Sequence, residues 1–126
     1  MSINDPRRRT RRALIALLAD VVCVLVFAAV GRRSHAEGLT VAGVAQTAWP
    51  FLAGTGVGWA LIGGWRRPFT VIPTGVAVWV CTVAVGMLLR KAAQAGVQAS
   101  FVVVASIATA VLLLGWRSVA ALLRRS

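Results

Sequence analysis

The sequence predicts an all-α integral membrane protein, a polytopic antiparallel bundle of four transmembrane helices. Its 126 residues are 59% hydrophobic and only 13% charged, a composition far from that of soluble globular domains. The apolar residues fall into four long runs, each close to the roughly 20 residues that cross a bilayer as a helix. Short polar turns separate the runs, so consecutive helices are expected to pack as antiparallel neighbours in a single domain.

The first run, residues 13–30, is predicted to be a retained transmembrane helix that follows a basic tail, residues 1–12. One acid, Asp20, lies near its middle. Eleven Leu, Ile, Val or Phe residues, at roughly −0.3 to −0.6 kcal/mol each, outweigh about 2.5 to 3.5 kcal/mol for a central aspartate. The basic tail resembles the start of a signal peptide. However, Asp20 interrupts the apolar stretch, and further membrane helices follow it.

The remaining runs predict three further helices and a second basic tail. Their approximate boundaries are 41–64, 69–89 and 97–116 for the helices and 117–126 for the tail. The tail either ends the bundle or extends the fourth helix along the membrane interface. Pro73 falls in the first turns of the third helix, where its missing N–H matters least.

Charge counting predicts the orientation of the bundle. Ten arginines lie in the two tails and the turn at 65–68, against four basic residues in the other two turns. The positive-inside rule therefore places both termini in the cytoplasm, in a multi-pass protein of the inner (cytoplasmic) membrane. Trp65 and Trp116 fall on that side, as an interfacial aromatic belt requires. We expect the arginines to contact anionic lipid headgroups and not nucleic acid, because no soluble domain carries a basic face.

Asp20 is the candidate transport or proton site. It lies about 10 Å along the helix from residue 13, and so near mid-depth. No basic residue lies within the central part of any run. Arg66, Arg67, Arg90 and Arg117, at the helix ends, would reach Asp20 only by a long extension of the side chain or through a water-filled cleft. Without such a partner, Asp20 is expected to favour its neutral form. An acid that gains and loses a proton at this depth is what a proton-coupled carrier needs. The alternative is a protonated Asp20 that hydrogen-bonds between helices only as part of the packing.

A polar layer is expected at the depth of Asp20, with hydroxyl groups or an indole N–H donating to its carboxyl group. The residues of this layer are Gly54, Thr55, Trp79, Thr82, Ser106 and Thr109. The residues expected to line a cavity around Asp20 are Gln46, Pro50, Trp79, Thr82 and Thr109.

The second helix carries a narrow stripe of residues spaced four apart: Gln46, Pro50, Gly54 and Gly58. One interpretation is a kinked helix that lines a cavity or gate. The other, which the small residues favour, is a close contact with a neighbouring helix.

An outer vestibule is predicted from Arg32, Arg33, His35 and Arg90, which lie in the turns on the exterior side. One histidine without companions is not a metal site, and no cofactor motif is present. We therefore expect neither a metal nor a cofactor.

The favoured function is small-solute or proton-linked transport by a homodimer, with Asp20 as the titrating group. The alternative is a non-catalytic accessory or scaffold subunit that docks larger membrane proteins through small-residue faces. The chain is not expected to be an enzyme, because three acids and one histidine supply almost no groups for hydrolysis. An enzyme acting on lipids would need a cavity open to the bilayer beside His35.

Several of these features together resemble one known family. They are Asp20, the turn Gly31-Arg32-Arg33-Ser34-His35, Pro50-Phe51, Gly86 with Arg90, and Gly115-Trp116-Arg117. This pattern resembles domain-of-unknown-function family 3054, small bacterial and archaeal four-helix membrane proteins with no assigned activity. The resemblance implies that the protein lies in a membrane and that these positions are the functional residues of the family. In architecture the chain is also similar to small multidrug resistance transporters, although its first-helix acid is an aspartate and not a glutamate.

Overall fold

The computed structural model describes residues 6–34, 40–93 and 99–125, with side chains at the same positions except 32–34, 124 and 125. Within these ranges the chain forms four α-helices. They are α1 (Pro6–Ser34), α2 (Val41–Ile62), α3 (Val76–Ala92) and α4 (Ala99–Arg125), with a wide helical turn at Val71–Gly75 leading into α3. Three helical segments are long and apolar enough to cross a membrane: Pro6–Gly31, Val71–Ala92 and Ala99–Leu123. The prediction of an all-helical protein of membrane type is confirmed to this extent.

The helix boundaries differ from the predicted ones at both ends of the chain. Helix α1 begins at Pro6, within the predicted basic tail, and α4 continues through Arg117 to Arg125. The predicted limits followed the nearest arginine, but arginine is a good helix former and its long side chain can leave the apolar zone. Helix α2 is not among the three segments that are apolar enough to cross a membrane. It holds no charged residue, but Gln46, Pro50 and four glycines lower its mean hydropathy.

A glycine cap ends α2 and reverses the chain. Gly63 has φ of 64°, in the left-handed region that glycine adopts without strain. The N–H of the next residue, Gly64, donates to the carbonyl oxygen of Trp59 at 2.9 Å. This bond, which spans five residues, is the mark of a Schellman cap. The cap sets the direction of the short connection to α3.

The first turns of α1, the connection that precedes α3 and the C-terminal half of α4 meet at one end of the bundle. The guanidinium carbon of Arg12 lies 4.9 Å from the centroid of the Phe69 ring. That ring packs edge-on against Trp116, with 5.6 Å between centroids. Consecutive helices are therefore antiparallel. We call this the arginine-rich end, because residues 7–12 alone hold five arginines.

Helices α2 and α3 come close enough that their contact requires glycine. A Cβ atom on Gly54 would lie 2.5 Å from the carbonyl oxygen of Cys81, and one on Gly58 would lie 2.9 Å from the Cα atom of Val78. Small residues allow helix backbones to approach this closely in a membrane. Gly54 and Gly58, two members of the stripe, therefore form the close contact with a neighbouring helix that the small residues favour.

Two apolar clusters fill the bundle. The cluster farther from the arginine-rich end is built on Phe51, whose ring centroid lies 5.1 Å from that of Phe27 and 6.3 Å from that of Phe101. Gly86 leaves room for this ring, since a Cβ atom there would lie 2.5 Å from it. The cluster nearer that end, which borders the buried acid, contains Ala16, Trp59, Val78 and Leu113.

Candidate functional site

Asp20 lies in the middle of α1 and has no exposed surface. Its carboxylate forms a two-pronged ion pair with the guanidinium group of Arg117 on α4. Nη1 donates to Oδ1 at 2.8 Å, and Nη2 donates to Oδ2 at 2.7 Å. Arg117 is also fully buried. Parallel N–H···O bonds of this kind are the strong and geometrically specific form of arginine–carboxylate pairing.

Two indole N–H groups complete the hydrogen bonding of the carboxylate. Trp59, on α2, donates to Oδ2 at 2.8 Å, and Trp116, on α4, donates to Oδ1 at 2.9 Å. Each oxygen therefore accepts one bond from the guanidinium group and one from an indole. We call the four side chains Asp20, Trp59, Trp116 and Arg117 the Asp20 cluster. The cluster joins α1, α2 and α4.

The guanidinium group of Arg117 also binds the backbone. Its Nε donates to the carbonyl oxygen of Pro68 at 3.0 Å, and Nη1 donates to that of Leu113 at 3.2 Å. The Pro68 bond ties the α2–α3 connection to α4. In the described part of the chain, every buried side-chain nitrogen and oxygen has a partner. Additional hydrogen bonds of this kind offset part of the desolvation cost of a buried ion pair.

The ion pair corrects an expectation about the surroundings of Asp20. The sequence assigns Arg117 to the basic tail, from which only a long extension of its side chain would reach the acid. The structure places Arg117 inside the bundle, because α4 continues well past it. A signal for this was available, since residues 118–123 include five apolar residues and no charge.

The prediction that an indole donates to the carboxyl group names the right kind of donor but the wrong tryptophan. Trp79 donates instead to the carbonyl oxygen of Ser106, at 2.9 Å. The donors to Asp20 are Trp59 and Trp116. The sequence places Trp116 in an interfacial belt, and it does not distinguish Trp59 from the other apolar residues of α2.

The other residues predicted to line a cavity lie elsewhere in the packing. The hydroxyl oxygen of Thr82 is 2.7 Å from that of Thr55, and Thr109 donates to a carbonyl oxygen of the preceding turn of α4 at 2.6 Å. Pro50 is buried, whereas Gln46 is exposed on the surface of the bundle. Their role in a cavity stays a prediction.

Of the predicted outer vestibule, the structure describes the side chain of Arg90. Its guanidinium carbon lies 4.5 Å from the centroid of the Phe101 ring, at the end of the bundle opposite the arginine-rich end. His35 and the side chains of Arg32 and Arg33 lie outside the described residues. The vestibule therefore also stays a prediction.

A groove of about 580 Å³ opens at the arginine-rich end, between the start of α1 and the end of α2. Its wall is formed by Pro6, Arg9, Thr10, Ala13, Leu14, Leu17, Trp59, Trp65 and Arg66. Trp59 belongs both to this wall and to the Asp20 cluster, so its indole lies between the groove and the ion pair. Gly64 packs against the same indole, since a Cβ atom there would lie 2.6 Å from the ring.

Comparison with known proteins gives a family and no activity. No curated protein and no solved structure matches the chain at a significant level. One family model matches residues 17–120, a range that includes all four members of the Asp20 cluster. The resemblance drawn from the sequence is confirmed: the chain belongs to the family described as protein of unknown function (DUF3054).

Proposed function

We propose that the chain is a small membrane carrier in which the Asp20–Arg117 ion pair locks the closed state. The observation that carries the proposal is the burial of two opposite charges where three helices meet, with their hydrogen bonds supplied by the protein. A buried ion pair is weak evidence for stability alone, because apolar residues of similar volume are often as stable or more so. Charged residues inside a membrane domain are for this reason functional candidates.

The lock would open when the attraction between the two side chains is removed. A proton on Asp20 would remove it, and so would an anionic solute that replaces the carboxylate on Arg117. Losing one partner of a buried pair costs about 3–5 kcal/mol. The solute must therefore bind the open state more tightly than the closed state by a similar amount. Because the pair links α1 to α4, its separation frees these two helices to move apart.

The carrier is proposed to span the inner membrane four times, with both termini in the cytoplasm. The ten-to-four distribution of basic residues supports this orientation. Helix α2 is the proposed fourth span. It contains no charged residue and packs against α1 and α3, two of the helices that are apolar enough to cross a membrane.

Cys23 offers a native probe of the lock. It lies three residues after Asp20, is partly buried, and its Sγ donates to the carbonyl oxygen of Leu112 at 3.5 Å. In vesicles containing protein with Cys81→Ser, a water-soluble maleimide should label Cys23 slowly. Asp20→Asn and Arg117→Gln should each raise the labelling rate roughly tenfold or more, since tenfold requires a shift of only about 1.4 kcal/mol. The two substitutions change the charge beside Cys23 in opposite directions, so a rise in both reports opening of the bundle and not the altered charge.

The matched control for the labelling experiment is Arg67→Gln, which removes an exposed arginine at the same end of the bundle. It should leave the labelling rate of Cys23 unchanged. Circular dichroism checks that each variant keeps its helix content. Equal labelling rates in wild type and Asp20→Asn, at equal helix content, would contradict the lock.

Transport is tested with a pH-sensitive dye trapped in the same vesicles. Organic carboxylates and phosphates are added outside in turn, because these are the anions that a guanidinium group binds in a two-pronged manner. One of them should drive proton movement with wild-type protein and with Arg67→Gln, but not with Arg117→Gln. If no solute moves protons although Asp20→Asn exposes Cys23, the ion pair is a conformational switch without transport.

A docking subunit is the second candidate, and the exposed face of α2 favours it. Gln46 and Gly56 are exposed there, as is Trp49 with 46% of its surface. In a membrane, small residues and side-chain amides mediate helix association. The partner would be a second copy of this chain or a larger membrane protein. Gln46→Leu with Gly56→Leu should weaken an assembly seen by cross-linking in native membranes; a monomer without partners would remove this candidate.

A further inference from the structure

We propose that the groove at the arginine-rich end binds the headgroup of an anionic phospholipid. The groove has a volume of about 580 Å³ and runs between the first turns of α1 and the connection that follows α2. Its polar wall contains Arg9 and Thr10 on one side and Arg66 on the other. Two arginines and one threonine, from two separate segments, line the same groove. Their guanidinium and hydroxyl groups match the charge and the hydrogen-bond acceptors of a phosphate.

The rest of the wall favours a lipid over a free phosphate. Leu14 and Leu17 continue the groove one and two turns farther along α1, and Leu14 has 53% of its surface exposed. Basic residues followed by apolar ones, in the direction of the membrane interior, correspond to the headgroup and the start of the acyl chains. A free phosphate has no apolar part that could pack against Leu14 and Leu17.

The glycine cap of α2 positions the second side of the groove. A Cβ atom on Gly63 would lie 3.7 Å from Cδ of Arg66 and 3.8 Å from Cζ2 of Trp65. Both side chains therefore fold back over the cap. Trp65 is 53% exposed, and tryptophan is the residue that membrane proteins place at headgroup level.

The lipid site stands apart from the proposed carrier activity. It uses Arg9, Thr10 and Arg66, none of which touches the ion pair in the Asp20 cluster. The connection between the two sites is Trp59, which lines the groove and also donates to Asp20. If the protein binds anionic lipid but transports no solute, the lipid site is supported and the carrier proposal is contradicted. The two proposals can therefore fail separately.

Two charge-matched double variants test the site in the full-length protein. Arg9→Gln with Arg66→Gln removes both arginines of the groove. Arg8→Gln with Arg67→Gln removes two exposed neighbours that do not line it. Because the two variants have the same net charge, a difference between them reports the groove and not the general attraction of a basic protein for an anionic surface.

Native mass spectrometry measures the binding of phosphatidylglycerol to the protein in uncharged detergent. A direct hydrogen bond from an arginine to the phosphate contributes about 1 kcal/mol net, or about fivefold in affinity, and an arginine outside the groove makes no such bond. The groove variant should therefore bind phosphatidylglycerol about 30-fold more weakly than wild type, and the control variant within roughly twofold of it. Equal weakening in the two variants would overturn the proposal.

Wild-type protein provides a second test that needs no variant to fold. Phosphatidylglycerol should bind more tightly than phosphatidylcholine and more tightly than glycerol phosphate. Equal binding of phosphatidylcholine would overturn the requirement for an anionic headgroup. Equal binding of glycerol phosphate would assign the groove to a free phosphate and overturn the proposal that it binds a lipid.

Discussion

Replacing Asp20 by asparagine should be among the most destabilising single substitutions in the bundle. The volume of the side chain changes little, but Arg117 keeps a full charge with no counter-ion. The amide oxygen can still accept one of the guanidinium bonds, now 2.7 and 2.8 Å long. The amide nitrogen meets the other guanidinium donor as a second donor. An uncompensated buried charge of this kind costs about 3–5 kcal/mol.

A double-mutant cycle isolates the ion pair from other effects of the substitution. Arg117→Gln alone should cost a similar amount, because it leaves Asp20 buried with its charge. The double variant carries two neutral amides that can bond to one another. Its loss of stability should therefore fall short of the sum of the single losses by about 2 kcal/mol or more, within the range for residues in direct contact.

The free energy of unfolding is measured in mild detergent, with sodium dodecyl sulfate as a reversible denaturant. Tryptophan fluorescence emission monitors the unfolding. Emission is a suitable probe because the indoles of Trp59 and Trp116 donate to the carboxylate. Arg67→Gln is the matched control and should change the free energy of unfolding by no more than about 0.5 kcal/mol. Single losses below about 1 kcal/mol, as for exposed ion pairs, or strictly additive losses would refute the reasoning.

Three further substitutions, one of them paired with a control, test helix contacts and hydrogen bonds in the bundle by the same unfolding assay. Gly54→Ala should destabilise by roughly 1–3 kcal/mol because its methyl group would meet the α3 backbone, whereas Gly56→Ala, with open space around its Cβ, should not destabilise; equal effects would contradict the α2–α3 contact. Thr82→Val keeps the side-chain shape but loses the bond to Thr55, and should cost about 0.6 kcal/mol and at most about 1.7; a larger loss would show that the pair does more than join two helices. Trp59→Phe removes one of the bonds to the buried carboxylate and should cost about 1.5–3 kcal/mol; an unchanged free energy of unfolding would contradict that bond.

The helical architecture could be predicted because it depends on the lengths of apolar runs, which a single sequence contains. The glycine spacing in α2 also predicted a close helix contact, since residues four apart share one helix face. The ends of α1 and α4 could not be placed in this way. A terminal arginine marks where charge begins, but the helix around Arg117 continues beyond it.

Asp20 could be identified from the sequence as an unusual residue, but its partners could not. Arg117 is separated from it by 97 positions. Which residues of α1 and α4 face each other depends on the rotation and tilt of both helices, and packing against neighbouring helices sets these. The same holds for Trp59, whose indole turns inward to the carboxylate while that of Trp65 is exposed.

The ion pair can be tested most directly by solid-state NMR in lipid bilayers. Labelling the arginine side-chain nitrogens and the aspartate carboxyl carbons, in an Asp5→Asn background, leaves Asp20 as the one labelled aspartate. We expect strong nitrogen-to-carbon transfer, since two guanidinium nitrogens lie 2.7 and 2.8 Å from the carboxylate oxygens, and its disappearance in Arg117→Lys. Absence of transfer, or transfer that persists in Arg117→Lys, would contradict the pairing of Asp20 with Arg117.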